Sequence, residues 1–343
     1  MKSRFLTTIL LAILLSASMF GQTSFKILFV NDNSVFPANT DTMLYAMSHT
    51  GYGYDYFDAR DSLRSPSLTE LTKYNLVIWY CSTDGVGNYF WSGNDSDNSD
   101  LTAYLETGGM LWVMGTDFLY DRYGSAPYHF AAGDFMYDYL GTKDYNVQSY
   151  GDDGGIGVPE LDLVLNGFTT IPVIHWSFTT AWWVDGCTPV NDASSVYEMG
   201  PDSYSLYGYS SAIWYPSSGH LSLTFFFDPA IMDTYNHREI LLEEIISHFK
   251  LFAGLPQLAP SETGFQVSPN PAGNYLSILK PAGMSKDLTL QVFNLKGNLI
   301  LDKRIESSDK LVETDISTVP DGLYMIRITD NFTQSASKLL IHH

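Results

Sequence analysis

The sequence predicts a doubly wound parallel α/β sheet followed by a small all-β sandwich. Three observations lead there. Nearly unbroken apolar runs recur at 25–32, 75–81 and 110–115, as in strands buried on both faces of a parallel sheet. Segments with helical spacing separate them. Beyond residue 264 the pattern changes to short alternating strands divided by turn residues.

The chain opens "MKSRFLTTILLAILLSASMFGQ", where Lys2 and Arg4 precede an apolar stretch from Phe5 to Leu15, then small and polar residues. This is the layout of a secretory signal peptide, 1–22. The run is shorter than the ~20 residues a membrane span needs, and no later stretch qualifies, so no transmembrane span is expected in the mature chain.

The α/β domain is expected over 24–253. "FKILFVND" (25–32) is its first strand and "DTMLYAMSHTG" (41–51) a helix with a terminal Gly. "YDYFDA" (54–59), "LTELTKY" (68–74) and the apolar "NLVIWYC" (75–81) follow. "SDLTAYLETGG" (99–109) reads as a capped helix with a double-Gly stop, delivering the chain into the strand "MLWVMG" (110–115). "HFAAGDFMYDYLG" (129–141) looks helical, and 144–208 is rich in Gly, Asp, Ser and Thr with short candidate strands at 161–166 and 195–199. "SSAIWYPSSGHLSLTFFFD" (210–228) reads as a hairpin, and "NHREILLEEIISHFKLF" (236–252) as an amphipathic helix covering the sheet. The proline-rich 254–264 is a linker, and 265–343 the β-sandwich.

The formal charge is −20. Residues up to 261 hold 10 Lys/Arg against 29 Asp/Glu, and the remainder 8 against 9. Without Lys2 and Arg4 the first part stands near −21 and the second near −1. Such a surface repels nucleic acid and anionic membranes and attracts cations or basic partners. The two cysteines, Cys81 and Cys187, either pair as a disulfide in an exported protein or sit as buried thiols; spacing does not decide.

In a parallel sheet, ligands bind beyond the carboxyl ends of the strands. Those ends carry Asp32, Asp84, Asp117 and Asp228, and four converging carboxylates would need a cation, Ca2+ for instance, or a basic ligand among them. Trp79, Tyr80, Trp91, Phe118 and Tyr120 lie close in sequence and could stack on a sugar or a peptide. The structural alternative is that each acid caps a helix or closes a turn. "DSDNSDLTAYLE" (95–106) mimics a calcium loop, but Asp100 stands where that loop requires Gly, so a capped helix is the better reading.

Motifs in the last segment carry a resemblance. "SPNPAGNYLSI" (268–278), "LQVFNLKGNLI" (290–300), "DGLYMIRI" (321–328) and "SKLLIHH" (337–343) resemble, in order, the C-terminal sorting domain of type IX (Por) secretion cargo. The resemblance implies recognition by the type IX machinery and export through the periplasm and outer membrane of a Gram-negative bacterium, to the medium or the cell surface. The tail departs from the family in ending on two histidines with only Lys338 nearby.

A second resemblance is looser. "KILFVND", "YNLVIWYC", "LTAYLETGGMLWVMG" and "FMYDYLG" look like the class I glutamine amidotransferase fold. That family's enzymes set a nucleophilic Cys in a Gly-x-Cys-x-Gly elbow; here Thr116 or Asp117 takes the Cys position and Phe118 the second Gly. Cys81, with His129, His175 or His220 as base, is the rival nucleophile. The expectation is therefore an exported, non-catalytic binding domain with an unknown extracellular ligand. The competing expectation is a hydrolase acting on polysaccharide or peptide.

Overall fold

The apolar runs fold into the centre of one wide sheet. The computed structural model describes residues 25–254 except 94, 95, 166, 191 and 218, and all of 265–343 except 269–271, 281–286, 295–298, 308, 310, 330–333 and 342. The expected signal peptide and almost all of the expected linker lie outside the described residues.

Twelve strands form the large sheet: β1 Ile27–Asn31, β2 Tyr54–Asp58, β3 Leu76–Ser82, β4 Met110–Gly115, β5 Tyr128–His129, β6 Thr142–Gln148, β7 Glu160–Leu163, β8 Val173–Ile174, β9 Asp185–Pro189, β10 Ser194–Gly200, β11 Ser210–Pro216 and β12 Leu221–Phe225. Its main path runs β2-β1-β3-β4-β12-β11-β10-β7-β8, with β9 joined to β11 and β6, and β6 to β5.

The expected doubly wound parallel sheet with an amidotransferase-like topology is not what forms. Only β2, β1, β3, β4 and β12 run parallel. From β12 onward every pairing is antiparallel, through β11, β10, β7 and β8 and through β9, β6 and β5. A mixed, mostly β fold with few helices replaces the alternating α/β one. The reason lies in 142–200, where the chain returns as hairpins and supplies no crossover helices.

Every residue of β1, β3, β4 and β12 is buried, as continuous apolar runs require. Helices Pro37–His49 and Tyr235–Gly254 cover one face, where Leu241, Ile245 and Phe249 pack with Trp112 and Trp214. Helix Ser99–Glu106 covers the other, through Leu101, Tyr104 and Leu105. Its cap is Asn98, whose side chain accepts from the Leu101 N–H, so the calcium-like stretch does begin a capped helix. The helix expected over 129–141 shrinks to Phe135–Asp138.

Residues past 264 form two facing antiparallel sheets. One holds β13 Gln266–Ser268, β14 Tyr275–Leu279 and β17 Leu311–Asp315; the other holds β15 Asp287–Phe293, β16 Leu299–Glu306, β18 Gly322–Thr329 and β19 Gln334–Ile341. Strict alternation on β15 turns Leu288, Leu290 and Val292 inward, onto Leu276, Ile278 and Ile326. That is the expected β-sandwich. No helix among the described residues is long and apolar enough to cross a membrane.

Candidate functional site

The ends of β3 and β4 carry related sequences, Ser82-Thr83-Asp84 and Gly115-Thr116-Asp117, and the sheet sets Ser82 beside Gly115. The two turns are laced together. Thr116 N donates to the Ser82 carbonyl at 2.9 Å, Asp84 N to Thr116 Oγ1 at 3.1 Å, and Gly85 N to the Thr116 carbonyl at 3.2 Å. A Cβ on Gly115 (φ 151°) would sit 2.6 Å from the Ser82 carbonyl, so this approach requires glycine.

Both aspartates adopt left-handed backbone, φ 60° at Asp84 and 62° at Asp117. So do Ser82, Tyr150 and Trp183, leaving Leu63 as the one described non-glycine residue of this kind elsewhere. Each such residue costs of order 1–3 kcal/mol, and clusters of them gather at functional sites.

They surround a cavity of about 1350 Å³ beyond the strand ends. Asp84, Asp117 and Asp152 line it, together with the rings of Phe36, Tyr120, Phe178, Trp182 and Trp183. Phe178 and Trp182 are 69% and 52% exposed. Tyr150 backs this wall, with its ring 4.6 Å from that of Trp182 and 5.0 Å from that of Trp183.

Asp117 is the most constrained acid in the cavity. It is only 7% exposed. Its Oδ1 accepts from Gln148 Nε2 at 3.0 Å, and the same nitrogen donates to Asp185 Oδ1 at 2.9 Å. Among the described residues Asp117 Oδ2 has no donor. Burial, then the nearby Asp84 charge, pushes the Asp117 carboxyl up to about 7. Asp185 is fully buried and is driven well above the carboxylate range by desolvation and then by Asp117. The Tyr145 hydroxyl adjoins it without the alignment of a directed hydrogen bond.

The four strand-end acids are divided between two tasks. Asp84 and Asp117 line the cavity. Asp228 is enclosed by five donors: Tyr80, Ser82, Thr83 and Asn39 side chains and the Ala230 N–H, all at 2.8–3.2 Å. Asp32 accepts from Trp79 Nε1 at 3.0 Å and Phe90 N at 2.8 Å. Arg60 Nε lies 3.0 Å from Asp32 Oδ1 but directs its hydrogen to the Asp32 carbonyl, so that pair attracts without a directed bond. Burial raises Asp32 to about 6, with Arg60 opposing. Asp32 and Asp228 are structural, then, and the four-acid rim does not assemble. No group of three or more His, Cys, Asp or Glu among the described residues is placed to hold a metal ion.

The aromatic candidates need a similar correction. Trp79, Tyr80, Trp91 and Phe118 are buried in the core because they sit within or against the covered runs; Tyr120, 47% exposed, does face the cavity. Phe36, Phe178, Trp182, Trp183, Gln148 and Asp185 went unnoticed in the sequence. The cluster "WSFTTAWW" (176–183) was the available signal for three of them.

Cys81 and Cys187 are both buried and free, so they do not pair. Burial drives both thiols well above their usual range. No histidine hydrogen-bonds to Cys81 among the described residues: His129 bonds Asp144, His220 bonds the Tyr139 carbonyl, and His175 lies by Glu160. Cys81 therefore lacks the base that a nucleophile needs.

Several solved structures are similar in part. An immunoglobulin-like β-sandwich protein from Bacteroides vulgatus is 15% identical, covering 24% of this chain and 86% of its own, with a TM-score of 0.20. A β-galactosidase from the haloarchaeon Halorubrum lacusprofundi is 13% identical, covering 83% of this chain and 40% of its own, with a TM-score of 0.38. An exo-β-1,4-mannosidase from an Opitutaceae bacterium is 10% identical, covering 67% and 36%, with a TM-score of 0.36. This chain thus spans less than half of either enzyme's length. No curated protein matches. Residues 266–342 match the secretion system C-terminal sorting domain family. The matched span holds the ordered motifs and the sandwich that bears them: this chain ends in a type IX sorting domain and is an exported protein, secreted or held at the cell surface.

Proposed function

We propose that the large-sheet region is a glycan-binding domain, displayed outside the cell by its sorting tail. The observation that carries this reading is the cavity at the strand ends, whose lining combines exposed rings with carboxylates. Flat aromatic faces cover the apolar face of a sugar ring, while carboxylate and amide oxygens accept from its hydroxyls. A volume near 1350 Å³ suits several sugar units. An extended peptide would instead pair with a free strand edge, and no cavity residue belongs to the outer strands β2, β5 or β8.

The test is titration of the mature protein against β-linked tetrasaccharides, followed by tryptophan fluorescence. Trp182→Ala and Phe178→Ala should each weaken binding about tenfold, roughly 1.4 kcal/mol. Unchanged affinity in both variants would overturn the assignment.

Hydrolysis of the bound glycan is the second reading, and one observation favours it. Asp117, raised to about 7, would hold a proton to donate, and Asp84 shares the cavity as an ionisable partner. Release of reducing ends, lost in Asp117→Asn, would establish catalysis; prolonged incubation without release leaves binding as the function.

A further inference from the structure

We propose that the cavity selects an amino sugar, seating its ammonium group against Asp117 and Asp84 with the rings of Tyr120, Phe178 and Trp182 around the sugar. This inference rests on the glycan reading and names the chemistry it prefers. Three observations lead to it.

The first is the charge of the lining. Three acids face the cavity, and among the described residues no Lys, Arg or His does. Of the strand-end acids, Asp32 has Arg60 beside it and Asp228 accepts from five donors. Asp117 accepts only from the neutral Gln148 amide.

The second is the free oxygen on Asp117. The side chain is nine-tenths buried and lines the cavity, yet Oδ2 has no donor among the described residues. That oxygen is not sealed in the interior, so it opens on the cavity, where a ligand N–H can reach it. An ammonium supplies both the hydrogen and the charge.

The third is the rings. Aromatic faces attract cations through the ring quadrupole, and the five rings of the lining together with Asp84 and Asp117 favour a protonated amine over a neutral acetamide. The same lining repels uronic acids and sulfated sugars.

The groups facing Asp117 are Asp84 from the turn after β3, Gln148 and Asp152 from the end of β6, Asp185 from β9, and Tyr145 from β6. None is cationic, so an incoming ammonium would be the first positive charge in the cluster.

Calorimetric titration of the mature protein near pH 7, where Asp117 is about half ionised and an ammonium held against it favours the ionised form, and at low ionic strength, tests this with three probes: β-1,4-linked tetramers of glucosamine, of N-acetylglucosamine, and of a uronic acid. Glucosamine should bind at least about tenfold tighter than its acetylated counterpart, and the uronate should not bind. Raising salt to about 0.5 M should shrink that preference. Asp84→Asn, at an exposed side chain, should bring the ratio near one, and Asp117→Asn likewise. Equal or tighter binding of the acetylated tetramer overturns the amine preference and leaves glycan binding standing. Binding of none of the saccharides, with a lysine tetrapeptide bound instead, overturns both.

Discussion

Asp117 is kept at a cost. Its carboxyl is raised from the ordinary range to about 7, so the folded protein holds this proton more tightly than the unfolded chain does. Its contribution is therefore fully favourable below about pH 4 and is lost as pH rises through 7. Asp117→Asn keeps the shape and the Gln148 contact while removing the charge. It should stabilise the protein by about 2–4 kcal/mol at pH 8 and by nothing near pH 4, as urea unfolding at both pH values would show. A stabilising substitution at a residue facing the cavity is the mark of a group retained for binding. Asp228 should behave in the opposite way. Asp228→Ala removes the acceptor shared by five donors, of which only Tyr80 and Asn39 have another within reach, and should cost at least about 3 kcal/mol by the same measurement. The sequence made Asp84, Asp117 and Tyr120 legible because strand ends can be read from apolar runs. It hid Phe178 and Trp182, since loop aromatics follow no period. It also misplaced Trp79 and Tyr80, because both faces of β3 are covered and a ring there cannot reach a ligand.

At the scale of elements, continuous burial and the β11–β12 hairpin were readable, and the remaining antiparallel pairings of the large sheet were not. β1, β3 and β4 announce themselves as nearly continuous apolar runs. In β6 and β10 the period of two is broken by register shifts between Thr142 and Asp144, Tyr145 and Val147, and Ser195 and Tyr197. Each shift flips the faces that side chains address, so alternation fades from the sequence while the ladder survives. The β3–β4 seam has its own single point of failure in Gly115. Gly115→Ala meets the Ser82 carbonyl and Cys81 Cβ, neither of which can move aside cheaply, in a conformation unfriendly to alanine. It should lower stability by about 2–3 kcal/mol and loosen ligand binding, because Asp117 lies two residues on. Thermal unfolding and the tetrasaccharide titration on one preparation would check both.

For the whole molecule, the tail determines destination, and the proposed binding site lies in the large sheet. Deleting 266–342 should leave the protein in the periplasm, as fractionation would show; normal arrival at the surface or in the medium would contradict the role of the tail. The strand order of the large sheet has a kinetic consequence. β12 lies at its centre, pairing Leu221 with Met110 on one side and with Pro216 on the other. It is also the last of the twelve strands to be made. A chain entering the periplasm amino end first has exposed β1, β3 and β4 well before β12 arrives to join the two halves. Those strands are the most apolar in the protein, and long-range pairings form slowly. The passage from inner membrane to folded cargo is therefore when this protein most needs a periplasmic chaperone to hold its strands apart.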